Sequence, residues 1–127
     1  MTQAPAKPSY VVDATSTNTF GRVLTSARDQ HLVVDGPATS GCPGEAIGPA
    51  ELFLGGVAGC GVELIQVLAK QQNVPLKSVH CTIKGYRDLE APPRQDVSLF
   101  NSVDINFQLG GVSQEQGQDL VERFKRR

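Results

Sequence analysis

Cysteines are the residues of this chain best suited to covalent or redox chemistry, and they lie at Cys42, Cys60 and Cys81. Their number is odd and none belongs to a CxxC pair, so the spacing predicts neither a disulfide framework nor a metal site. A thiol attacks only as the thiolate, which requires a nearby positive charge and a path for the substrate. The sequence therefore leaves reactive-thiol chemistry open, with no metal and no cofactor indicated.

Length and charge narrow the class of protein. The 127 residues suffice for one domain, and 12 basic against 13 acidic side chains give no basic surface for a nucleic acid. The longest charge-free apolar run, residues 52–62, is shorter than the roughly 20 residues of a membrane span. Residues 1–9 lack the apolar stretch of a signal peptide. We therefore expect a cytoplasmic protein with neither a nucleic-acid nor a membrane partner.

Residues 49–71 form the most informative segment, a predicted helix. Pro49 suits the first helical position, and Glu51 and Lys70 match the helix dipole at its two ends. Apolar side chains point in nearly every direction, which predicts burial on all sides over the first three turns. Four glycines between residues 55 and 61 cost about 3 to 4 kcal/mol relative to alanine. Close approach of another backbone, or room for a ligand beside Cys60, would offset that cost.

The segments before and after this helix are predicted to form strands, loops and a second helix. Residues 10–16, 20–25 and 31–35 are strand-like and separated by turn residues, which favours an antiparallel meander. Alternating apolar positions in residues 76–86 and 102–109 predict a long hairpin. Ser113 and Gln116 have the spacing of a capping box at the start of a second helix. We expect a poorly ordered tail over residues 1–8 and one α+β domain over residues 9–127.

The order of these elements, together with GPAELFLGGVAGCGVELIQVLAK in the central helix, resembles the OsmC/Ohr family. These are the osmotically inducible and organic hydroperoxide resistance proteins. The most specific part is the pattern P-x-E-L-x-L-x-x-x-A-G-C over residues 49–60, and it is closest to a less characterised OsmC-like branch. The resemblance implies antiparallel curved sheets around long buried central helices, in an intertwined homodimer.

The resemblance also implies a function and a site. It implies thiol-dependent reduction of organic hydroperoxides, in defence against oxidative stress, by Cys60 with an external dithiol as reductant. Peroxidatic members hold the thiol beside an arginine of the meander and a glutamate of the helix start. Those positions fall near Thr19 and at Ala50, so Arg22 and Glu51 are the nearest candidates.

A second cysteine in the family follows the C-terminal helix, where this chain ends. The domain is therefore expected to lack the family's C-terminal segment. Cys42 is then a possible resolving thiol for Cys60. Another interpretation is that a shortened chain has lost its activity together with that segment.

Chemistry alone leaves the activation of Cys60 open. The residue lies roughly 13 to 14 Å along the helix from Glu51, too far for the helix N-terminus to help the thiol. A cation must come from elsewhere, and the candidates are Arg22, Arg87, Arg94 and His31. Glu63, one turn beyond Cys60, could hold such a group. Phe53 and Gly56 are expected to line the binding site.

Simpler interpretations compete with these. Free cysteine is commonly a small buried hydrophobic residue, and Glu51 could serve only the helix dipole. The alternative function is a non-peroxidatic OsmC-like dimer that binds a small hydrophobic molecule in its glycine-lined cleft.

Overall fold

The chain has three strands, a long helix, a two-stranded hairpin and a second helix, with all strands paired antiparallel. The α+β fold class predicted from the sequence is therefore confirmed. The computed structural model describes residues 6–95 and 100–126. Its elements, in chain order, are β1 (Asp13–Ser16), β2 (Arg22–Ala27), β3 (Gln30–Asp35), α1 (Pro49–Gln71), β4 (Ser78–Tyr86), β5 (Ser102–Gly110) and α2 (Gln114–Lys125). The chain divides into two compact units, Met1–Leu52 and Phe53–Arg127. Of the predicted tail, residues 1–5 lie outside the described residues, and residues 6–8 have no regular secondary structure.

The first unit contains the predicted meander. Strands β1, β2 and β3 pair antiparallel in that order, with Leu24 opposite Val33. Strand β1 begins at Asp13, three residues later than predicted, because residues 10–12 have no neighbouring strand in this sheet. Residues 36–48 form the expected loop, which returns to the sheet where the Asp35 N–H donates to the Ile47 carbonyl at 3.0 Å. This loop delivers the chain to α1.

Helix α1 has the bounds that the sequence predicts. The Gly48 N–H donates to Glu51 Oε1 at 2.8 Å, which satisfies one free donor at the helix start. At the other end Asn73 has φ +56°, and the Val74 N–H donates to the Ala69 carbonyl at 2.9 Å. This left-handed turn is the usual way to end a helix. Local capping signals therefore fix both ends.

The prediction that the first three turns of α1 are buried on all sides is wrong for the single chain. Its buried residues are Gly61, Ile65, Leu68 and Ala69, whereas the Phe53 side chain is 63% exposed. The reason is that the second unit covers one face of the helix, toward its C-terminal half. There Ile65, Leu68 and Ala69 form a core with Leu120 of α2.

Helix α1 also meets the length and hydropathy criterion for a membrane span, with a mean hydropathy of 1.8 in its most apolar window. Residues 52–62 alone do not suggest this, because Glu63 interrupts the charge-free run. A helix buried in a protein core meets the same criterion, so length and composition are weak evidence here.

The second unit adds a hairpin and a helix to α1. Strands β4 and β5 pair antiparallel over nine residues each, with Cys81 opposite Phe107, as the alternation predicts. The capping box is also confirmed, since Ser113 Oγ accepts from the Gln116 N–H at 3.1 Å. The expected inward face of β5 is covered only in part. Phe107 and Leu109 pack on the core, whereas Val103 and Ile105 remain 40% and 39% exposed.

Candidate functional site

Cys60 lies in the middle of α1, and its side chain is exposed in the single chain. Phe53, Gly56, Gly59 and Glu63 share its face of the helix, and each of them is also exposed. We call these five residues the exposed stripe. An accessible thiol can be reached by a substrate, which a thiol inside the core of one chain could not. The single chain therefore does not use Cys60 as a core residue.

Open space adjoins the thiol because of the glycines. Among the described residues, a Cβ built at Gly55, Gly56 or Gly59 has no neighbour within 4 Å beyond the adjacent residues and its own helix backbone. At Gly61, by contrast, it would lie 2.8 Å from Cζ of Phe107. Close packing inside the chain thus explains Gly61 alone. The other three glycines leave a smooth surface beside Cys60.

An aromatic pair joins helix α1 to the segment that precedes β5. The rings of Phe53 and Phe100 stack with centroids 6.4 Å apart and planes 24° from parallel. Gly85 of β4 permits this arrangement, since a Cβ there would lie 2.6 Å from Cε1 of Phe100. The pair gives the N-terminal end of the exposed stripe an apolar surface. Phe53 and Gly56, predicted as binding residues, are both part of that stripe.

Arg22 forms a bidentate ion pair with Asp35 inside the first unit. Its Nε and Nη2 donate to the two carboxylate oxygens of Asp35 at 2.8 and 2.9 Å. Nη2 also reaches Glu45 Oε1 at 3.4 Å. The hydrogen bond with Asp35 raises the pKa of Arg22 and fixes the direction of the guanidinium.

Asp35 is the buried centre of this arrangement. Its Oδ2 accepts the N–H groups of Glu45 and Ala46 at 3.1 and 2.8 Å, in addition to Arg22. The Arg22 hydrogen bond and these two backbone donors hold the pKa of Asp35 well below its ordinary value, against the opposing effect of burial. Asp35 therefore joins the sheet to the loop that precedes α1. Sequence reasoning missed this residue, although its opposite charge faces Arg22 directly across β2 and β3.

Removing the charge with Asp35→Asn should lower the melting temperature at pH 7, because the buried carboxylate satisfies four N–H donors. Since the folded-state pKa is depressed, the stabilisation is fully present above the unfolded pKa of about 4 and is lost as pH falls through the folded pKa. The difference from wild type should hold from pH 7 to about pH 5 and then shrink. Thermal unfolding followed by circular dichroism measures it. Asp29→Asn, in the exposed β2–β3 turn, is the control, and an unchanged difference at pH 2 would refute the assignment.

The hydrogen-bond partner of Glu51 is the start of helix α1, whereas the partner of Arg22 is Asp35. The Glu51 carboxylate accepts the Gly48 N–H, so it caps the helix. Among residues 6–95 and 100–126, no hydrogen bond joins Glu51 to Arg22. The arginine–glutamate pair implied by the family resemblance is thus replaced here by the pair of Arg22 with Asp35.

The other two cysteines are packed. Cys42, the possible resolving thiol, is half-buried in the loop before α1. Its Sγ lies between the backbones of Gly21 and Gly36, where a Cβ at Gly36 would come within 2.6 Å of it. Cys81 is also half-buried on the inward face of β4, and burial raises the pKa of its thiol.

The remaining candidate cations, His31, Arg87 and Arg94, each interact with other groups of the chain. His31 is exposed on β3, with Nδ1 2.7 Å from Ser26 Oγ across the sheet. Arg87 and Arg94 follow β4, and both are engaged in interactions. In the part of the chain that the structure describes, no three histidine, cysteine, aspartate or glutamate side chains converge as metal ligands.

Together these features define an α+β protein that combines a three-stranded meander, a hairpin and a glycine-rich helix with an accessible thiol. The family model described as OsmC-like protein matches residues 42–127. The chain therefore belongs to the OsmC-like family, as its sequence pattern predicted. A search of curated proteins finds no match to this sequence.

Solved structures agree with the fold. An OsmC-like protein from Mycoplasma pneumoniae is similar with a TM-score of 0.80 at 13% identity, over 94% of this chain and 82% of the other. An organic hydroperoxide resistance protein OsmC from Legionella pneumophila gives 0.71 at 22% identity, over 96% and 85%. One from Elizabethkingia anophelis, with thiocyanate bound, gives 0.67 at 16% identity, over 97% and 85%. At these identities the likeness establishes the fold.

Proposed function

We propose that this protein is an OsmC-like thiol peroxidase that reduces organic hydroperoxides with Cys60. The observation that carries the proposal is the accessible Cys60 thiol on the exposed stripe, within the segment that the family model covers. The Phe53–Phe100 pair at the N-terminal end of the stripe supplies an apolar surface for the organic part of the substrate. Two structural relatives named as organic hydroperoxide resistance proteins support this choice.

The proposed reaction has two stages. The Cys60 thiolate attacks the outer oxygen of the hydroperoxide, the O–O bond breaks, and the departing alkoxide takes a proton to leave as an alcohol. Cys60 is thereby oxidised to sulfenic acid. One thiol of an external dithiol then attacks the sulfur and releases water, and the second thiol restores Cys60 while the dithiol becomes a disulfide.

Arg22 is the proposed cation for this reaction. Asp35 engages Nε and Nη2, and among the described residues no hydrogen bond engages the third nitrogen, Nη1. That nitrogen is available to an anionic oxygen or sulfur. The held guanidinium would need no reorganisation when charge develops.

A second function also has an observation in its favour. Arg22 is committed to Asp35, and Glu51 to the helix cap, so neither is paired with the other as peroxidatic members of the family require. This arrangement favours a non-peroxidatic protein that binds a small hydrophobic molecule on the same apolar surface.

The proposed working form is a homodimer in the cytoplasm. In one chain three glycines beside Cys60 are uncovered, Gly55, Gly56 and Gly59, and a second copy would cover them. A stable interface of this kind should bury more than roughly 2,000 Å² in total. Light scattering at micromolar concentration tests it, and a compact monomer with full secondary structure would contradict it.

Sulfenic acid trapping separates the two functions. After one equivalent of organic hydroperoxide, we expect a dimedone-type reagent to label Cys60, because it is the exposed thiol of the three. Peptide mass mapping locates the label. Cys42→Ser serves as the matched control and should label as wild type does. Labelling confined to Cys42, or none at all, favours the ligand-binding function.

A further inference from the structure

A pocket lies between the end of helix α1 and the start of strand β4, within the second unit. Its volume of about 320 Å³ is that of a site for a small molecule. The residues that line it are Gln66, Ala69, Lys70, Val74, Leu76, Lys77 and Ser78. Buried Ala69 and half-buried Val74 and Leu76 give the pocket an apolar base, and the other four residues are exposed polar groups.

The pocket carries two positive charges, and no aspartate or glutamate lines it. Among residues 6–95 and 100–126, the side chains of Lys70 and Lys77 form no hydrogen bond and no ion pair. Lys125, by contrast, is paired with Glu122 at 3.1 Å. The helix dipole explains Lys70, which lies in the last turn of α1, but not Lys77, which lies beyond the helix. The second lysine therefore calls for another explanation.

A tight turn after β5 fixes the position of Lys77. The Lys77 N–H donates to the Gly110 carbonyl at 2.8 Å. Gly111 has φ +87°, and a Cβ there would lie 2.7 Å both from Cγ of Lys77 and from the Pro75 carbonyl oxygen. Ser78 is packed in the same way, since a Cβ at Gly110 would lie 2.5 Å from its Oγ. The two glycines thus hold both polar side chains at the pocket before a ligand binds, which lowers the entropic cost of binding.

The end of α1 forms the other side of the pocket, and its last carbonyls are satisfied. The Val74 N–H donates to the Ala69 carbonyl at 2.9 Å. The Asn73 N–H donates to the Lys70 carbonyl at 3.3 Å. The last turn therefore repels an anion less than an uncapped helix end would. Gln66, one turn before Lys70, adds an uncharged amide donor on the same face of the helix.

We propose that this pocket binds a small organic phosphate monoester. The two lysine ammonium groups match the nearly double negative charge of a phosphate monoester at pH 7, and lysine binds phosphate as a point charge. The Ser78 hydroxyl and the Gln66 amide can donate to further phosphate oxygens. The apolar base at Val74 and Leu76 suits a short hydrocarbon part, which free phosphate lacks. This site depends neither on the chemistry of Cys60 nor on the proposed homodimer.

Titration of the isotopically labelled protein with phenyl phosphate, followed by NMR at low ionic strength, tests the site. The backbone amide signals of residues 66–78 and 110–111 should shift saturably, with a dissociation constant of about 1 mM or lower. Inorganic phosphate should bind at least about threefold more weakly, because it leaves the apolar base uncovered. Phenol, which lacks the phosphate, should cause no saturable shift at these residues.

Charge variants with matched controls locate the binding. Gln66→Glu keeps the shape of the side chain and places a negative charge in the pocket, so it should raise the dissociation constant at least about tenfold. Gln108→Glu makes the same change on the exposed part of β5, outside the pocket, and should leave the constant within about a factor of two. Lys77→Gln should also weaken binding about tenfold, whereas Lys84→Gln, elsewhere on β4, should not.

Several outcomes would overturn the proposal. A dissociation constant above about 10 mM, or one that Gln66→Glu leaves unchanged, would show that the pocket is not an anion site. Shifts confined to residues outside the pocket would show the same. Equal affinity for phenyl phosphate and inorganic phosphate would overturn the assignment to a monoester. Gln66 and Lys77 are both exposed, so their variants should keep the fold, and circular dichroism checks this before each titration.

Discussion

Replacing Cys60 with serine should abolish hydroperoxide reduction. We expect the rate of peroxide consumption in the presence of a dithiol to fall at least about 1,000-fold, to the uncatalysed background. The reason is that a serine hydroxyl is a far weaker nucleophile than a thiolate and cannot be oxidised to a sulfenic acid. A stopped-flow assay with tert-butyl hydroperoxide and dithiothreitol measures the loss. A variant that retains wild-type turnover would refute the proposed role of Cys60.

The other two cysteines supply matched controls. Cys42→Ser and Cys81→Ser should each retain the wild-type rate within about a factor of two. Cys42 is packed between two glycine backbones, and burial raises the pKa of Cys81, so neither thiol is suited to attack. Excess peroxide without reductant should then add two oxygens at Cys60, as sulfinic acid, in intact-mass analysis.

Local signals explain which parts of the fold the sequence could predict. The bounds of α1 follow from Pro49 at its start and a left-handed Asn73 beyond its end, which act within one turn. The capping box of α2 is equally local. The meander and hairpin follow from alternation, because a strand with one covered face shows a period of two. Each of these predictions is confirmed by the structure.

Features that depend on distant partners were harder to predict. The ion pair between Arg22 and Asp35 requires the register of β2 on β3, which propensity does not supply. Glu51 could have served the dipole or the site, and only the geometry shows its carboxylate on the Gly48 N–H. Which site residues work together stays a prediction, because Arg22 and Cys60 belong to different compact units.

The exposed first turns of α1 lead to the second large expected effect. Beyond its own helix backbone, a Cβ at Gly56 or Gly59 has no neighbour within 4 Å in the part of the chain that the structure describes. Gly56→Ala with Gly59→Ala should therefore stabilise an isolated chain by about 2 kcal/mol through helix propensity. If a second copy packs on this face, the two methyl groups must instead push its backbone away. We expect the packed case, with a dimer dissociation constant raised at least about tenfold and a lower melting temperature at equal protein concentration.

Gly61→Ala is the control that does not depend on a partner. Its Cβ would lie 2.8 Å from Phe107 and 3.2 Å from Phe124 in the same chain, so it should destabilise the protein at any concentration. Light scattering and thermal unfolding over a range of concentrations distinguish the two effects. A double variant at Gly56 and Gly59 that melts higher than wild type with an unchanged oligomeric state would show that no second helix lies against the stripe. The surface beside Cys60 would then be free for a ligand, and the cost of its glycines would be explained by substrate access instead of by dimer packing.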